Sequence, residues 1–525
     1  MKAALTRIRA RAWNGQPPDG RLSLVAGLVA FVMSMPVAYV VWRSAFAGVE
    51  RWLRLLDDRV PGLLWSTISL SVGVTVIAVC IGVALAWLVH RTDLPGRHVW
   101  RWALALPLAI PPYVGAIAYI VILGPRGWVR DWLGAPPPVN IYSFAGALFV
   151  LAVFTYPYVF LVVGAALSRM GRAHEEAARS LGLGPLGVLR RITLPMLRPA
   201  MGAGAVLVIL YVLSDFGAVA TLRYTTFTSA IYYQMGGFDT LSATVLSVVL
   251  IALTMVVLAV EAYGRRRSRF DSSGPTRPAD VVELGRLRWA ALGFVGTVLA
   301  ISVLLPVGVL VYWTVIGVGE GALDARFWGY ALNTAQVAGT AALLSMVAAL
   351  PVVYVRSRHP SPASTVLERL AYSGYALPGV IVALGLIFFG IRYLPWLYNT
   401  AWMIALAYVV RFLPQAMQST SSSLALVSPR TDEAARIAGL SQLAVVARVI
   451  APLVRPGLLA GGALVFVSSI KELPATLLLR PAGFDTLAVR VWVEASESVY
   501  HLAAPAALVI VALSVLPLKW LLDRY

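Results

Sequence analysis

Apolar residues fall in long unbroken runs along this chain, separated by short polar stretches rich in Arg. Runs of about 20 mostly apolar residues, the length that crosses a hydrocarbon core as a helix, occur near 24–42, 63–89, 102–123, 144–168, 200–222 and 241–263. Six more occur near 289–316, 333–355, 371–391, 400–424, 458–479 and 502–522. The pattern predicts twelve membrane helices, because a helix satisfies its own backbone N–H and C=O groups where no water can. Pro107, Pro111 and Pro112 in the third run and Pro378 in the ninth predict broken helices with carbonyls turned toward a cavity, although proline kinks are common in membrane helices.

Composition sharpens this picture. Of 525 residues, 59% are apolar and 13% charged, with mean hydropathy +0.79, against roughly 45–50% and 25% in a soluble domain. A cytosolic enzyme, a secreted disulfide scaffold and a disordered chain are excluded. The net charge of +19 is carried almost entirely by Arg. Most of it falls in alternate loops and both tails, which places the N- and C-termini in the cytoplasm and points to a lipid partner and not to nucleic acid. Lys2, Arg7, Arg9 and Arg11 precede the first run with no small-residue cleavage site after it, so that run reads as an uncleaved signal anchor. Cys80 is the only cysteine and the five histidines are scattered, so neither a disulfide nor a stable metal centre is expected.

The chain repeats itself. An offset of 257 residues pairs Pro157 with Pro414, Glu176-Ala177-Ala178-Arg179 with Glu433-Ala434-Ala435-Arg436, Gly182 with Gly439, Pro195 with Pro452, Asp215 with Glu472 and Arg223 with Arg480. Earlier the offset drifts to 271, where Leu106-Pro107 meets Leu377-Pro378. The expected organisation is a first half at 1–263, a polar linker at 264–288 with Arg265, Arg266, Arg267 and Arg269, and a second half at 289–525. Six spans per half leave both halves in the same orientation, with a pathway between them.

After the fourth span, within a loop at about 169–199, Glu176-Ala177-Ala178 is followed by Gly182 and then by Ile192-x-Leu194-Pro195. The second half carries Glu433-Ala434-Ala435, Gly439 and Val449-x-Ala451-Pro452 in a loop at about 425–456. Each reads as a short polar helix with small Ala side chains and a Gly stop. The spacing resembles the EAA-x3-G-x9-I-x-L-P loop of binding-protein-dependent ABC importer permeases, with Val and Ala replacing Ile and Leu in the second copy. That resemblance implies an all-α integral membrane protein of about twelve transmembrane helices in two parallel six-helix repeats, the type I ABC importer permease fold. It implies coupling helices docked on two copies of a cytoplasmic ABC ATPase, and substrate delivered by an extracytoplasmic binding protein. The setting it implies is the bacterial inner membrane. The chain has no GxxxxGK[ST] phosphate loop. ATP and Mg would therefore be bound by the partner, and this chain would be no enzyme.

Ser214-Asp215-Phe216-Gly217-Ala218-Val219 and Lys471-Glu472-Leu473-Pro474-Ala475-Thr476 are similar to segments of fused ferric-iron permeases, as is Tyr408-Val409-Val410-Arg411-Phe412-Leu413-Pro414. Thiamine permeases share the fused architecture, and single-half relatives carry sulfate or molybdate, so these substrates stay open. A carboxylate near the bilayer centre costs on the order of 3 kcal/mol. Asp215 and Glu472 either line the pathway, where hard oxygen suits a trivalent cation, or pair with neighbours such as Arg223, Lys471 and Arg480 to hold helix ends. Arg411 either faces a cavity and favours an anionic chelate or pairs with a carboxylate. Tyr113, Tyr156 and Tyr211 either line the path or belong to the interfacial belt. A proton-coupled secondary transporter is the alternative of a different class, on the strength of His90-Arg91-Thr92-Asp93-Leu94-Pro95-Gly96-Arg97 after the second span.

Overall fold

A computed structural model describes residues 13, 17–137, 139–170, 173–267, 281–375 and 377–522. The N-terminal Lys2, Arg7, Arg9 and Arg11 and the linker stretch 268–280 lie outside the described residues. In the first half the helices used below are α1 (Gly20–Ser44), α2 (Val49–Asp58), α3 (Val60–Arg91), α4 (Pro112–Leu123), α5 (Phe144–Arg169), α6 (Ala173–Ser180), α7 (Leu194–Ser214), α8 (Gly217–Thr221) and α9 (Thr240–Arg267). In the second they are α10 (Leu287–Leu299), α11 (Leu305–Gly319), α12 (Ala325–Arg358), α13 (Pro362–Ala371), α14 (Gly379–Tyr393), α15 (Ala401–Leu424), α16 (Pro429–Ile437), α17 (Arg455–Ile470), α18 (Pro474–Leu479) and α19 (Tyr500–Leu522).

Each of the twelve apolar runs contains helix, the ninth only from Gly379 onward apart from Ala371. Eight helices among the described residues are long and apolar enough to cross a membrane alone, or ten if each of two sharply bent helix pairs counts as one span. The bends are 90° between Arg97–Ala109 and Pro112–Leu133 and 81° between Gln442–Leu453 and Arg455–Ile470. The remaining two are α14, which is apolar but short, and α15, whose last turns are polar at Gln418-Ser419-Thr420-Ser421. Prolines produce the first bend as expected. Pro111 holds ψ 135° before α4 and Pro378 holds ψ 141° before α14, so each proline ends an extended step just before a helix starts, and Pro112, the first residue of α4, has no N–H to satisfy.

The repeat is visible in the backbone. Three-helix cores form from α3, α5 and α7 and, separately, from α12, α15 and α17. Wide π-helical turns occur at Leu189–Thr193 and Val446–Ile450, at the same 257 offset as the motifs. Small residues let the core helices meet closely: a side chain on Gly82 would strike the α5 backbone at Tyr156 and Phe160, and one on Gly461 would strike Ala416.

The sequence halves and the compact units are partitioned differently. One unit takes in 1–51, 234–248 and 321–497, and the other 52–233, 249–320 and 498–525. Within the first unit, α1 packs on α12, α13 and α14, where Gly385 admits the Pro36 backbone. Within the second, α11 packs on α4 and α19, burying Val309 against Ala118 and Val121 beside Trp313 and Tyr500. The first span of each half thus completes the core that the other half builds.

Candidate functional site

The two Glu-Ala-Ala loops fold alike. In α6, Glu176 and Ala177 are exposed and Ala178 is buried. In α16, Glu433 and Ala434 are exposed and Ala435 is half-buried. Gly182 stops the first helix at φ +87° and Gly439 the second at φ +88°. In each loop the amide beyond the glycine reaches back over the helix end, Leu183 N–H to the Ala178 carbonyl at 3.1 Å and Leu440 N–H to the Ala435 carbonyl at 3.2 Å. This left-handed cap is why the motif needs glycine. Gly182→Ala or Gly439→Ala should destabilise its loop by about 1 kcal/mol, seen as faster amide exchange across 176–183 or 433–440 with the membrane core unchanged.

Exposed apolar residues surround these knobs: Leu181 is 85% exposed, Ile437 88% and Leu426 89%. Their isolated exposure beside an acidic helix was not legible from the motif, which specifies Glu, Ala and Gly only. Such side chains at the tip of a short helix suit insertion into a groove on a protein partner.

Each loop is tied to its own unit. In the unit that holds α16, Arg358 ends α12 and donates from Nε to Asp432 Oδ2 at 2.9 Å and from Nη2 to the Val427 carbonyl at 2.8 Å. The Arg358 and Asp432 side chains are 11% and 9% exposed. Asp19 N–H donates to Gln442 Oε1, whose amide nitrogen lies 3.1 Å from His359 Nε2. In the other unit, Thr92 and Val282 form a parallel β-bridge, and Asp93 Oδ1 accepts from Leu284 N–H at 2.8 Å. The Asp93 segment that resembled a secondary-transporter fragment therefore clips the end of the linker. Arg179 of α6 and Val282 line the same small cleft, with Arg91 and Thr193.

The two buried acids Asp215 and Glu472 mark two helix breaks. Asp215 lies between α7 and α8, and its Oδ2 accepts from Ala218 and Val219 N–H, both at 3.1 Å. Thr228 closes the same break by donating to the Asp215 carbonyl at 2.6 Å. Glu472 lies between α17 and α18, where Oε1 accepts from Ala475 N–H at 3.2 Å and Oε2 is paired with Arg411 of α15. Tyr408 and Thr476 hydroxyls meet at 2.6 Å and Thr476 donates to the Glu472 carbonyl at 2.8 Å. Gly379, the first residue of α14, lies against both members of the ion pair, where a side chain would collide with Glu472 and Arg411.

The pairings weighed from sequence are rearranged. Arg480 pairs with Asp485, and Arg223 stacks 5.3 Å over the Tyr142 ring. At the 257 offset Arg411 corresponds to Phe154, whose ring fills the space beside Gly115. One unit thus holds an arginine where the other holds an aromatic ring. Tyr113 is buried against Gly217, two residues from Asp215, and Tyr156 is fully buried with its hydroxyl 3.4 Å from Ser302. Tyr211 is half-buried and packs on Tyr158 at 5.6 Å. Among the described residues no group of three or more His, Cys, Asp or Glu could hold a metal ion.

The family of binding-protein-dependent transport system inner membrane components matches residues 78–269 and 341–524, one match in each half. A protein named Fe(3+)-transport system permease protein FbpB 2, from Haemophilus influenzae, is 32% identical over 97% of this chain and 99% of its own. The ferric transport system permease protein FbpB of Actinobacillus pleuropneumoniae is 24% identical over 88% of this chain and 71% of its own. The molybdenum transport system permease protein ModB of Escherichia coli is 33% identical over 39% of this chain and 95% of its own, as a single-half relative would be. Two matched repeats on an all-helical frame, each with an exposed, glycine-capped Glu-Ala-Ala helix, make this chain a member of the binding-protein-dependent transport system inner membrane component family.

Proposed function

We propose that this chain is the permease subunit of an ATP-driven importer and forms the translocation pathway for ferric iron. The observation that carries the reading is the pair of exposed, identically capped Glu-Ala-Ala helices on a chain alignable over 97% of its length with a protein named as an Fe(3+)-transport permease. It is a multi-pass inner-membrane protein. Its coupling loops and both termini face the cytoplasm in this reading, on the distribution of Arg. Two copies of a separate ATPase bind ATP and Mg and grip Glu176, Ala177, Ala178 and Gly182 on one loop and Glu433, Ala434, Ala435 and Gly439 on the other. An extracytoplasmic binding protein delivers iron to the opposite face.

The mechanism is alternating access. Closure of the ATPases on ATP moves α6 and α16. Arg358 transmits that movement to α12 because it holds both the start of the second loop and Asp432. Asp215 and Glu472 act as positioning residues that keep the two helix breaks open-ended within the membrane, so that short helices and unwound backbone can line a path. Arg411 neutralises Glu472. The packing of Tyr113 and Tyr156 supports a structural place for both, and Tyr211 is the more accessible of the three.

The test is uptake of labelled ferric iron, thiamine, sulfate and molybdate in cells lacking only this chain, with and without its restoration. Loss of iron uptake alone, restored by the chain, is the expected result. Normal iron uptake with loss of thiamine or an oxyanion would discard iron and keep the importer. Uptake that persists without ATP and collapses with the proton gradient would overturn the importer reading itself.

A further inference from the structure

The ten-residue helix α2, Val49–Asp58, is where the chain passes from one compact unit to the other. It is no part of the coupling loops or the helix breaks. At about 100° per residue its side chains sort into three faces. Leu55 is buried. Val49, Leu53 and Leu56 lie within about 60° of one another and are 76%, 55% and 39% exposed. Glu50, Arg54, Asp57 and Asp58 occupy the arc between these faces. A helix with one face on protein, one charged and one apolar but uncovered has the pattern of a helix at a lipid–water boundary.

Its placement along the chain agrees. α1 ends at Ser44, a short turn leads to Gly48 at φ +76°, and this left-handed residue redirects the chain into α2. One residue, Arg59, then separates α2 from α3, which crosses the membrane. Near its start Arg51 pairs with Asp239 at 3.2 Å, and Asp239 also accepts from Ser242 at the first turn of the spanning helix α9. α2 therefore stands in the chain directly between two spanning helices, and its start is held to the first turn of a third. Exposed apolar residues continue from Trp42 and Phe46 before it to Trp65, Ile68 and Val72 after it. Asp57, Asp58 and Arg59 interrupt the succession at the end of α2, and the apolar exposure of the spanning helices on either side along the chain makes lipid the occupant that suits the uncovered face.

We propose that α2 lies in the headgroup boundary of the leaflet opposite the coupling loops, with Val49, Leu53 and Leu56 in the acyl region and Glu50, Arg54 and Asp57 in water. The test uses the whole chain with its partner ATPase in phosphatidylethanolamine–phosphatidylglycerol nanodiscs. In a Cys80→Ser background whose uptake is first confirmed, single cysteines at 49, 50, 53, 54, 56 and 57 carry a nitroxide. Relaxation by oxygen, relative to a water-soluble nickel chelate, should be at least about threefold higher at 49, 53 and 56 than at 50, 54 and 57. Equal nickel access around the helix would overturn the proposal, since α2 would then stand in water. Exclusion of both reagents at 49, 53 and 56 would overturn it in favour of a protein cover, and so would protection that appears only when the binding protein is added.

Discussion

Replacing Arg358 by Ala should remove most ATP-driven uptake and lower the stability of the complex by about 3 kcal/mol, the usual consequence of deleting one member of a buried ion pair. Asp432 would be left charged at a site 9% exposed, and the Val427 carbonyl would lose its donor. Thermal unfolding of the purified complex and uptake in vesicles measure the two effects separately. Asp432→Asn should be milder, because an amide oxygen can still accept from Arg358. The informative variant is Arg358→Met with Asp432→Leu, which replaces the pair by apolar volume and should recover most of the stability. Persistent failure of uptake in that double variant is expected if the pair transmits movement. Recovery of uptake together with stability would reduce the pair to a structural brace. Glu176→Ala with Glu433→Ala is the natural companion: both residues are exposed, so stability should be unchanged while ATP hydrolysis and uptake come apart. Unchanged uptake there would remove these glutamates from coupling.

The second large effect is expected at Arg411. Arg411→Ala leaves the Glu472 carboxylate buried without its counter-ion, and a loss of about 3 kcal/mol is the anticipated scale. Glu472→Gln keeps an acceptor for that amide and should lose less. Gly379→Ala places a methyl group against the free ends of both side chains of the pair; these can shift to make room, so its cost should be smaller than that of Arg411→Ala. The measurement is resistance to thermal unfolding in detergent together with the KM for uptake. Loss of stability at unchanged KM is expected of a positioning pair. Arg411→Lys with normal stability and a raised KM would instead place Arg411 in contact with the cargo.

The membrane segments were legible because length and apolarity are local properties, and the Glu-Ala-Ala loops because their chemistry lies within about a dozen contiguous residues. The cap made by Asp215 is also legible, since an acid three residues before a free amide is a helix-start pattern. Long-range pairs carry no such signal. Arg358 and Asp432 are 74 residues apart and Arg411 and Glu472 are 61 apart, and nothing in either segment names its partner. The exchange of first helices between the cores was invisible for a different reason. Lipid tails are as apolar as leucine, so a spanning helix shows little preference among neighbours until small residues such as Gly385 admit a close approach.

That exchange dictates an order of events during synthesis. Of the described helices α1 leaves the ribosome earliest, yet its partners α12, α13 and α14 begin only at Ala325, Pro362 and Gly379. At roughly 5–20 residues per second it must wait in the bilayer for tens of seconds while the whole of the first half is threaded past it. It must do so with Met33, Pro36 and the rest of its future contact face against lipid, held by weak non-specific contacts that are easily released. The mean hydropathy of α1 is high and it carries no acid between Gly20 and Ser44, which suits a helix that has to be stable in the membrane alone before it is stable in the protein. A nascent chain halted before residue 325 should therefore leave α1 open to crosslinking by lipid and by insertion factors. Release from those neighbours would come late and together, when the second half closes over a helix made long before.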